Sequence, residues 1–405
     1  MDTHRTFGEV VIWEDGRLRH VGRVDMTRTA LEGFGKSLLA TDEVVIEATG
    51  NCMAVSRVLS PFVKRVVIAN PLQVKAIAHA HVKTDKIDAG TASLYAAGYL
   101  PEIWTPDAAT ERMRRLVARR YQVVRHRTRI KNEVHSILYA HLIPRCPHAD
   151  LFGRLGRAWL TRQPVPDDER AAIERHIREL DRLGDDLRVL DREIAESALD
   201  DAVIKRLLTI TGVNLAVAGG LVAAVGDIGR FSSPQKLVSY FGLNPRVRQS
   251  GLGAAHHGRI SKVGRSHARA MLVEAAWAAA KTPGPLHAFF VRIRARRGHQ
   301  VAAVAVARKL TVLVWHMLTK EADYLWARPS LVAHKMRSME LQAGKPQKKG
   351  NSRGPTYAYN VKELRNQEMR VAEQAQKGYE HFVEAWRPRL PKEKARGRLS
   401  PARLE

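Results

Sequence analysis

The chain has 405 residues, 45% of them hydrophobic, and carries 67 Lys+Arg against 41 Asp+Glu, a net charge of +26. That length accommodates about two or three domains with real cores. The cationic excess favours a polyanionic partner, because each neutralised phosphate releases counterions.

The two cysteines, Cys52 and Cys146, are far apart and in no CxxC pattern. This argues against a disulfide framework and fits a reducing compartment. No signal-peptide pattern is visible at the N-terminus. Residues 207–226 are uncharged and long enough to span a bilayer. They contain Gly212, Gly219, Gly220, Gly226, two threonines and Asn214, so they read as buried or hairpin-forming. The expectation is a soluble, cytoplasmic protein with no membrane partner.

In chain order, "GEVVIWEDGRLRHVGRV" predicts two short strands around Glu14-Asp15-Gly16. "RTALEGFGKSLLA" has helical spacing, "DEVVIEAT" reads as a strand, "NCMAVSRVLSPF" as a helix and "VKRVVIAN" as a strand. "PLQVKAIAHA" opens a helix with Pro71 in its first turn. Strand–helix alternation after a hairpin predicts an α/β domain with a mixed sheet over residues 1–105.

Residues 106–142 predict one long helix, because Leu116, Val123, Ile130 and Ile137 recur every seven residues. Nine basic residues and one acid fall between 111 and 131. They are either a solvated face or phosphate contacts, with Arg119, Arg120 and Arg127 the candidates. Residues 145–166 read as a loop. Residues 167–199 predict a second long helix with Ile173, Leu180, Leu187 and Ile194 at heptad spacing. The two helices, spanning 106–200, would pair as an antiparallel coiled coil or with another subunit.

Residues 201–330 read as a mainly helical domain. "IKRLLTITGVNLAVAGG" suggests two short helices joined by a hairpin whose amides can meet a phosphate. "SSPQKLVSYFG", "SHARAMLVEAAWAAAK" and "GHQVAAVAVARKLTVLVWHML" are further helices, with an irregular stretch over 243–265. From 331 the chain reads as a basic, partly disordered tail with one helix near 361–386.

Two features carry chemistry. Asp85 and Asp88 in "VKTDKIDAG" share a helix face at (i, i+3) spacing. Acids in a first turn also simply favour the helix dipole. Glu47 ends the apolar run Val44-Val45-Ile46, and Asp2 precedes the hairpin. Four such acids at one sheet edge would repel one another unless a cation bound. Oxygen-only ligands favour Mg²⁺ or Mn²⁺, which can stabilise the attacking and leaving oxygens of phosphoryl transfer. In "LNPRVRQSGLGAAHHGRISKVGRSHAR", Ser250 stands between Arg248 and a glycine-rich turn. There it is a turn residue, a phosphate contact or a nucleophile, with His256 and His257 close in sequence.

The order Asp2, "VIEATG", then "KTDKIDA" resembles the DEDD transposases of bacterial insertion sequences, the IS-one-ten family, which includes site-specific DNA invertases. The resemblance continues in Ser250-Gly251, Gly258-Arg259-Ile260-Ser261-Lys262-Val263-Gly264 and Arg269, and covers about residues 1–325. One departure is at the start: only Met1 precedes Asp2, where the family has a short apolar run. The resemblance implies a RuvC-like, RNase H-type domain over 1–105. It also implies a four-acid metal site of Asp2, Glu47, Asp85 and Asp88, and Ser250 as nucleophile. Arg248, Arg259, Lys262, Arg265 and Arg269 would contact nucleic acid, and Ser261 is the rival hydroxyl. The expected protein is a bacterial, nucleoid-associated DNA transposase or recombinase. It would act on element ends and target as a homo-oligomer, dimer or tetramer, with an element-encoded guide RNA. A Mg²⁺-dependent nuclease or junction resolvase, with Ser250 structural, is the alternative. A non-catalytic nucleic-acid-binding regulator is the other.

Overall fold

The computed structural model describes residues 1–71, 95–98, 100, 102–250, 255–346 and 361–385. They form two compact units, Met1–Asp107 and Ala108–Glu405.

In the first unit, β2 (Phe7–Glu14) and β3 (Arg17–Asp25) form the expected hairpin. Its two turn residues, Asp15 (φ 46°) and Gly16 (φ 77°), both take positive φ. That geometry matches the natural twist of two antiparallel strands. β1 (Asp2–Thr3) pairs antiparallel with β2, with Asp2 opposite Glu9 and Thr3 opposite Gly8. Asp2 therefore stands on a strand although only one residue precedes it. β4 (Glu43–Glu47) and β5 (Arg65–Ala69) are parallel, joined through α2 (Cys52–Leu59). β1 lies beside β4. The Met1 ammonium donates to Val45 O (2.8 Å), the Thr3 and Thr49 hydroxyls meet at 2.7 Å, and Asn51 Nδ2 donates to His4 O (3.0 Å). Numbers rise together along the two segments, so they run in the same direction.

Side chains alternate across a strand, and the sheet uses both faces. Met1, Val10, Val44, Ile46 and Ile68 pack under α2 and α1 (Arg28–Lys36), with Leu31, Val55 and Leu59. Val45, Val67 and Ala69 pack on the other face with Tyr95 and Leu100. Double coverage is why residues 44–46 are apolar without a break. Thr27 starts α1, its hydroxyl accepting from Ala30 N.

The second unit opens with α3 (Ala108–Ala140). A short α4 (Arg154–Leu160) follows, where the sequence reads as loop. Leu160 and Trp159 pack with Val134, Leu138 and Ile173, so tertiary contacts hold this helix of about two turns. α5 (Asp167–Ala198) lies antiparallel along α3: Arg112 faces Glu193, Arg119 faces Asp186, His126 faces Glu179 and His176 faces Glu133. Val123, Ile130, Leu180 and Leu183 fill the seam, as the heptad spacing predicts.

The uncharged stretch 207–226 is a buried helical hairpin. α6 (Ala202–Leu208) and α7 (Leu215–Val225) flank a turn in which Gly212 has φ 93°. A Cβ there would lie 2.6 Å from Ala275 O, so only glycine fits. Asn214 caps α7 by accepting from Val217 N at 2.9 Å. α8 (Pro234–Tyr240) starts with Pro234, and the Ser233 side chain makes no capping hydrogen bond. The stretch 243–265 is not irregular throughout: β6 (Pro245–Arg248) and β7 (His256–Ile260) pair antiparallel.

α9 (Ser266–Ala280), α10 (Pro285–Arg297), α11 (His299–Thr319) and α12 (Pro329–Gln342) complete the core. Among the described residues, α11 alone is long and apolar enough to cross a membrane. Its Ala302, Ala303, Val306, Ala307 and Leu310 are buried in this core. α13 (Lys362–Ala385) is a helix of 24 residues packed on α10, with Glu368 accepting from Ser330 N at 2.8 Å.

One half-buried cation fastens α12 to the helical hairpin. Lys335 Nζ donates to Leu208 O and Ile210 O, both at 2.8 Å, and burial pushes its ammonium down to about 8. Lys335→Met would leave two buried carbonyls without this donor. Denaturant titration of the full chain should show a loss of about 3 kcal/mol.

Candidate active site

The acid residues are best located by sheet face. Met1 packs under α1 and α2, so Asp2 points to the opposite face. Val44 and Ile46 pack the same way, so Glu47 also points to that opposite face. The Met1–Val45 and Thr3–Thr49 bonds bracket the two residues, so Asp2 lies alongside Glu47. Asp2 is buried, at 7% exposure, and Glu47 is half-buried. Asp85 and Asp88 lie outside the described residues. Among the described residues, no three His, Cys, Asp or Glu side chains are close enough together to hold a metal.

Three residues that the sequence reading passed over join Asp2 on this face. Glu9 is opposite Asp2 in the ladder, and Arg23 is opposite Glu9. Glu9 is 4% exposed; its Oε2 accepts from Arg23 Nε at 2.9 Å, and its Oε1 meets His20 Nε2. His20 and Arg23 are three residues apart and would ordinarily point to opposite faces. A register shift between Val10 and Val11 sets the extra residue Val21 into β3 beside Gly22 (φ 125°). This bulge returns His20 to the face of Arg23. His4 Nε2 lies 3.3 Å from Asp2 Oδ2.

The bond to His20, then the bond to Arg23, hold the Glu9 carboxyl below the usual range of glutamate. Proton binding at Glu9 therefore favours the unfolded chain. Its stabilisation is present above the unfolded value of 4.5 and is lost as pH falls through the lower folded value. Glu9→Gln should flatten the acid limb of a thermal-melting-versus-pH curve.

Ser250 is exposed just beyond β6, and residues 251–254, including Gly251, lie outside the described residues. Arg248 and Arg259 are exposed on the two strands of the hairpin. Lys262 is exposed in a left-handed backbone conformation (φ 58°). Much of the segment after β7 has a structural task. Ser261 N donates to Asn244 O (2.8 Å), Lys262 N to Gly242 O (3.1 Å) and Arg265 N to Tyr240 O (3.1 Å). Gly264 (φ 120°) packs so closely that a Cβ would be 2.2 Å from Tyr240 O. Arg269 donates to Phe241 O at 3.0 Å, and Arg265 Nε to the Tyr240 hydroxyl at 2.8 Å. Burial raises the Tyr240 phenol, but Arg265 and Arg230 outweigh it and leave it below its ordinary value.

Arg119, Arg120 and Arg127 on the long helix have partners on α5, although Arg119 remains exposed. Arg120 Nε donates to Asp191 at 2.5 Å, Arg127 to Leu180 O at 3.4 Å, and Arg119 lies 4.0 Å from Asp186. Arg114 donates to Ala223 O and Ala224 O at the end of α7. The acids of α5, far away in sequence, are what engage Arg119 and Arg120.

Two family models match the chain. A DEDD transposase model matches residues 1–142, and the model of the transposase IS116/IS110/IS902 family matches residues 204–291. Together they span more than half of the chain. A probable family 20 transposase of Pseudomonas aeruginosa is 28% identical over 295 residues, covering 69% of this chain and 85% of that protein. A putative transposase of Sinorhizobium fredii is 28% identical over 295 residues, covering 68% and 70%. The pilin gene-inverting protein of Moraxella bovis is 25% identical over 296 residues, covering 70% and 82%. With the mixed α/β first unit, the helical second unit and both family segments in order, the chain belongs to the IS110-type transposase family of DNA recombination enzymes, whose substrate is DNA.

Proposed function

We propose that this transposase cuts and rejoins DNA by metal-supported transesterification, with Ser250 as the nucleophile and Asp2, Glu47, Asp85 and Asp88 as the metal-holding acids. The observation that carries the acid assignment is the placement of Asp2 and Glu47 side by side on one sheet face. Their oxygen-only chemistry suits Mg²⁺ or Mn²⁺. A bound ion would neutralise charge developing on phosphoryl oxygens. The three-stranded sheet β1-β2-β3, with the parallel pair β4-β5 lying next to β1, supports a RuvC-like reading of this unit.

In the first step the Ser250 Oγ–P bond forms as one P–O bond to deoxyribose breaks. The serine proton leaves to solvent, and a proton is taken up by the departing DNA oxygen. A DNA hydroxyl then attacks the phosphoserine, the Oγ–P bond breaks, and the serine regains a proton. Phosphodiester bonds are conserved and no water is consumed. Exposed Arg248, Arg259 and Lys262 are assigned to the DNA backbone. The charge of +26 supports further polyanionic contacts. These include the structured guide RNA that the family resemblance implies, in a homo-oligomer of two or four copies.

The test incubates the full chain with DNA carrying the flanking element ends, the element transcript and Mg²⁺. Denaturing gels should show a protein–DNA adduct that peptide mapping places on Ser250. Strand breakage with no adduct, unaffected by Ser250→Ala, would assign hydrolysis by water instead.

A further inference from the structure

A ring of contacts on the first sheet links Asp2 to His4, Phe7, Arg23 and Glu9, four residues that the proposed chemistry does not use. Asp2, Glu9 and Arg23 stand in one cross-strand row over β1, β2 and β3. Asp2 contacts His4 (3.3 Å), the His4 ring meets Phe7 in a tilted contact (4.7 Å between centroids), and the Arg23 guanidinium lies over Phe7 (4.4 Å). Arg23 Nε returns to Glu9, whose other oxygen meets His20. Arg23 is thus fixed at its Nε by a buried carboxylate and at its face by an aromatic ring.

Its outer end is still available. The Arg23 side chain is 63% exposed, against 5% for Glu9. Its Nε hydrogen is taken by Glu9, and the rest of the guanidinium belongs to a side chain that is mostly exposed. A planar guanidinium held in this way has lost much of its rotamer freedom before any ligand arrives, and its terminal fork matches a phosphate. If Glu9 served only to neutralise a buried charge, one cation without an aromatic shelf would suffice. The bulge that brings His20 to the same carboxylate adds a second, partly exposed ring beside it.

We infer that Arg23 is a phosphodiester-binding residue beside the acid face, and that Glu9 is its positioning residue. The ligand is the DNA backbone next to the bond being exchanged. The inference rests on the reading of this face as the metal-bearing DNA site. The geometry also divides the labour: three acids of one face would repel the backbone, and the row Arg23–Glu9–Asp2 places a fixed cation two strands from Asp2.

The experiment measures equilibrium binding of the full-length protein to a fluorescein-labelled 30-base-pair DNA duplex by anisotropy, in EDTA, across a salt series. Arg23→Met should lower the slope of log K against log salt by about 0.9, which is about eightfold in affinity at 0.1 M salt. Arg23→Lys should keep the slope. Glu9→Gln should weaken binding, and Arg23→Met should cost nothing more in that background. A carboxylate without a positioning role would do the opposite, because its removal takes a negative charge away from DNA and tightens binding. An unchanged slope for Arg23→Met overturns the inference, as does tighter binding by Glu9→Gln. Should Glu9→Gln fail to fold by near-UV circular dichroism, the exposed Arg23 variants still decide it. Without metal the measurement needs neither the acid-bound ion nor Ser250 chemistry. An unchanged Arg23 slope therefore leaves the transesterification reading standing, and a missing Ser250 adduct leaves the clamp standing.

Discussion

Ser250→Ala should abolish the covalent protein–DNA adduct and strand exchange while leaving DNA binding and folding intact. The side chain is exposed beyond β6, and a surface substitution of this kind changes stability by less than about 0.5 kcal/mol. Removing a nucleophile from a site whose groups act as a unit lowers the rate by about 10⁴-fold or more. The measurement is adduct yield under single-turnover conditions, with anisotropy as the binding control. An adduct that persists in Ser250→Ala would transfer the role to another hydroxyl, and Ser261 is the first to test. Its backbone N–H is already committed to Asn244 O, which makes it a loop anchor as well as a rival.

The second large effect is expected at Asp2. Asp2→Asn keeps the shape of a buried side chain but removes the charge that a cation would need. Adduct formation should fall by about 10²–10³-fold, the scale seen when one transition-state-stabilising group is removed. The Mg²⁺ concentration needed for half-maximal rate should rise as well. Binding to duplex in EDTA should be unchanged or tighter, since an acid has gone. A normal rate with normal metal dependence would remove Asp2 from the site. Melting of the variant provides the control, because Asp2 lies in β1 between β2 and β4. Glu47→Gln tests the same idea from a half-buried position.

Much of the first unit was legible because its signals are local. Asp15-Gly16 between alternating strands specifies a tight hairpin by backbone sterics alone. Val44-Val45-Ile46 specifies a strand covered on both faces. The heptads of the two long helices found each other in the seam of Val123, Ile130, Leu180 and Leu183. The site was legible only in part. Asp2 and Glu47 could be named from residue type, order and family resemblance. Glu9 looked like any polar residue in an alternating strand. Its partners were hidden because the bulge at Val21 breaks the two-residue period from which a reader would assign His20 to a face.

The basic residues show the same limit from the other side. Composition marks Arg119, Arg120 and Arg127 as a cationic stripe, but the partners Asp186 and Asp191 stand some seventy residues later. Arg265 and Arg269 read as phosphate contacts, and the fold adds a partner to each, the Tyr240 hydroxyl and the Phe241 carbonyl. A guanidinium has five donors and no preference written in its neighbours, so its use depends on which acceptor the fold delivers.

The sequence by itself determined the charge, the helix and strand periods, the turn at Asp15-Gly16 and the membership of the chain in its transposase family. Each of these depends on composition, on spacing within a few residues, or on motifs read in order. Only the tertiary structure decided that Asp2, Glu9 and Arg23 share one row, that Glu47 lies beside Asp2, and that the long-helix arginines meet α5. Those outcomes depend on strand register and helix docking, which are set by packing between segments far apart in the chain.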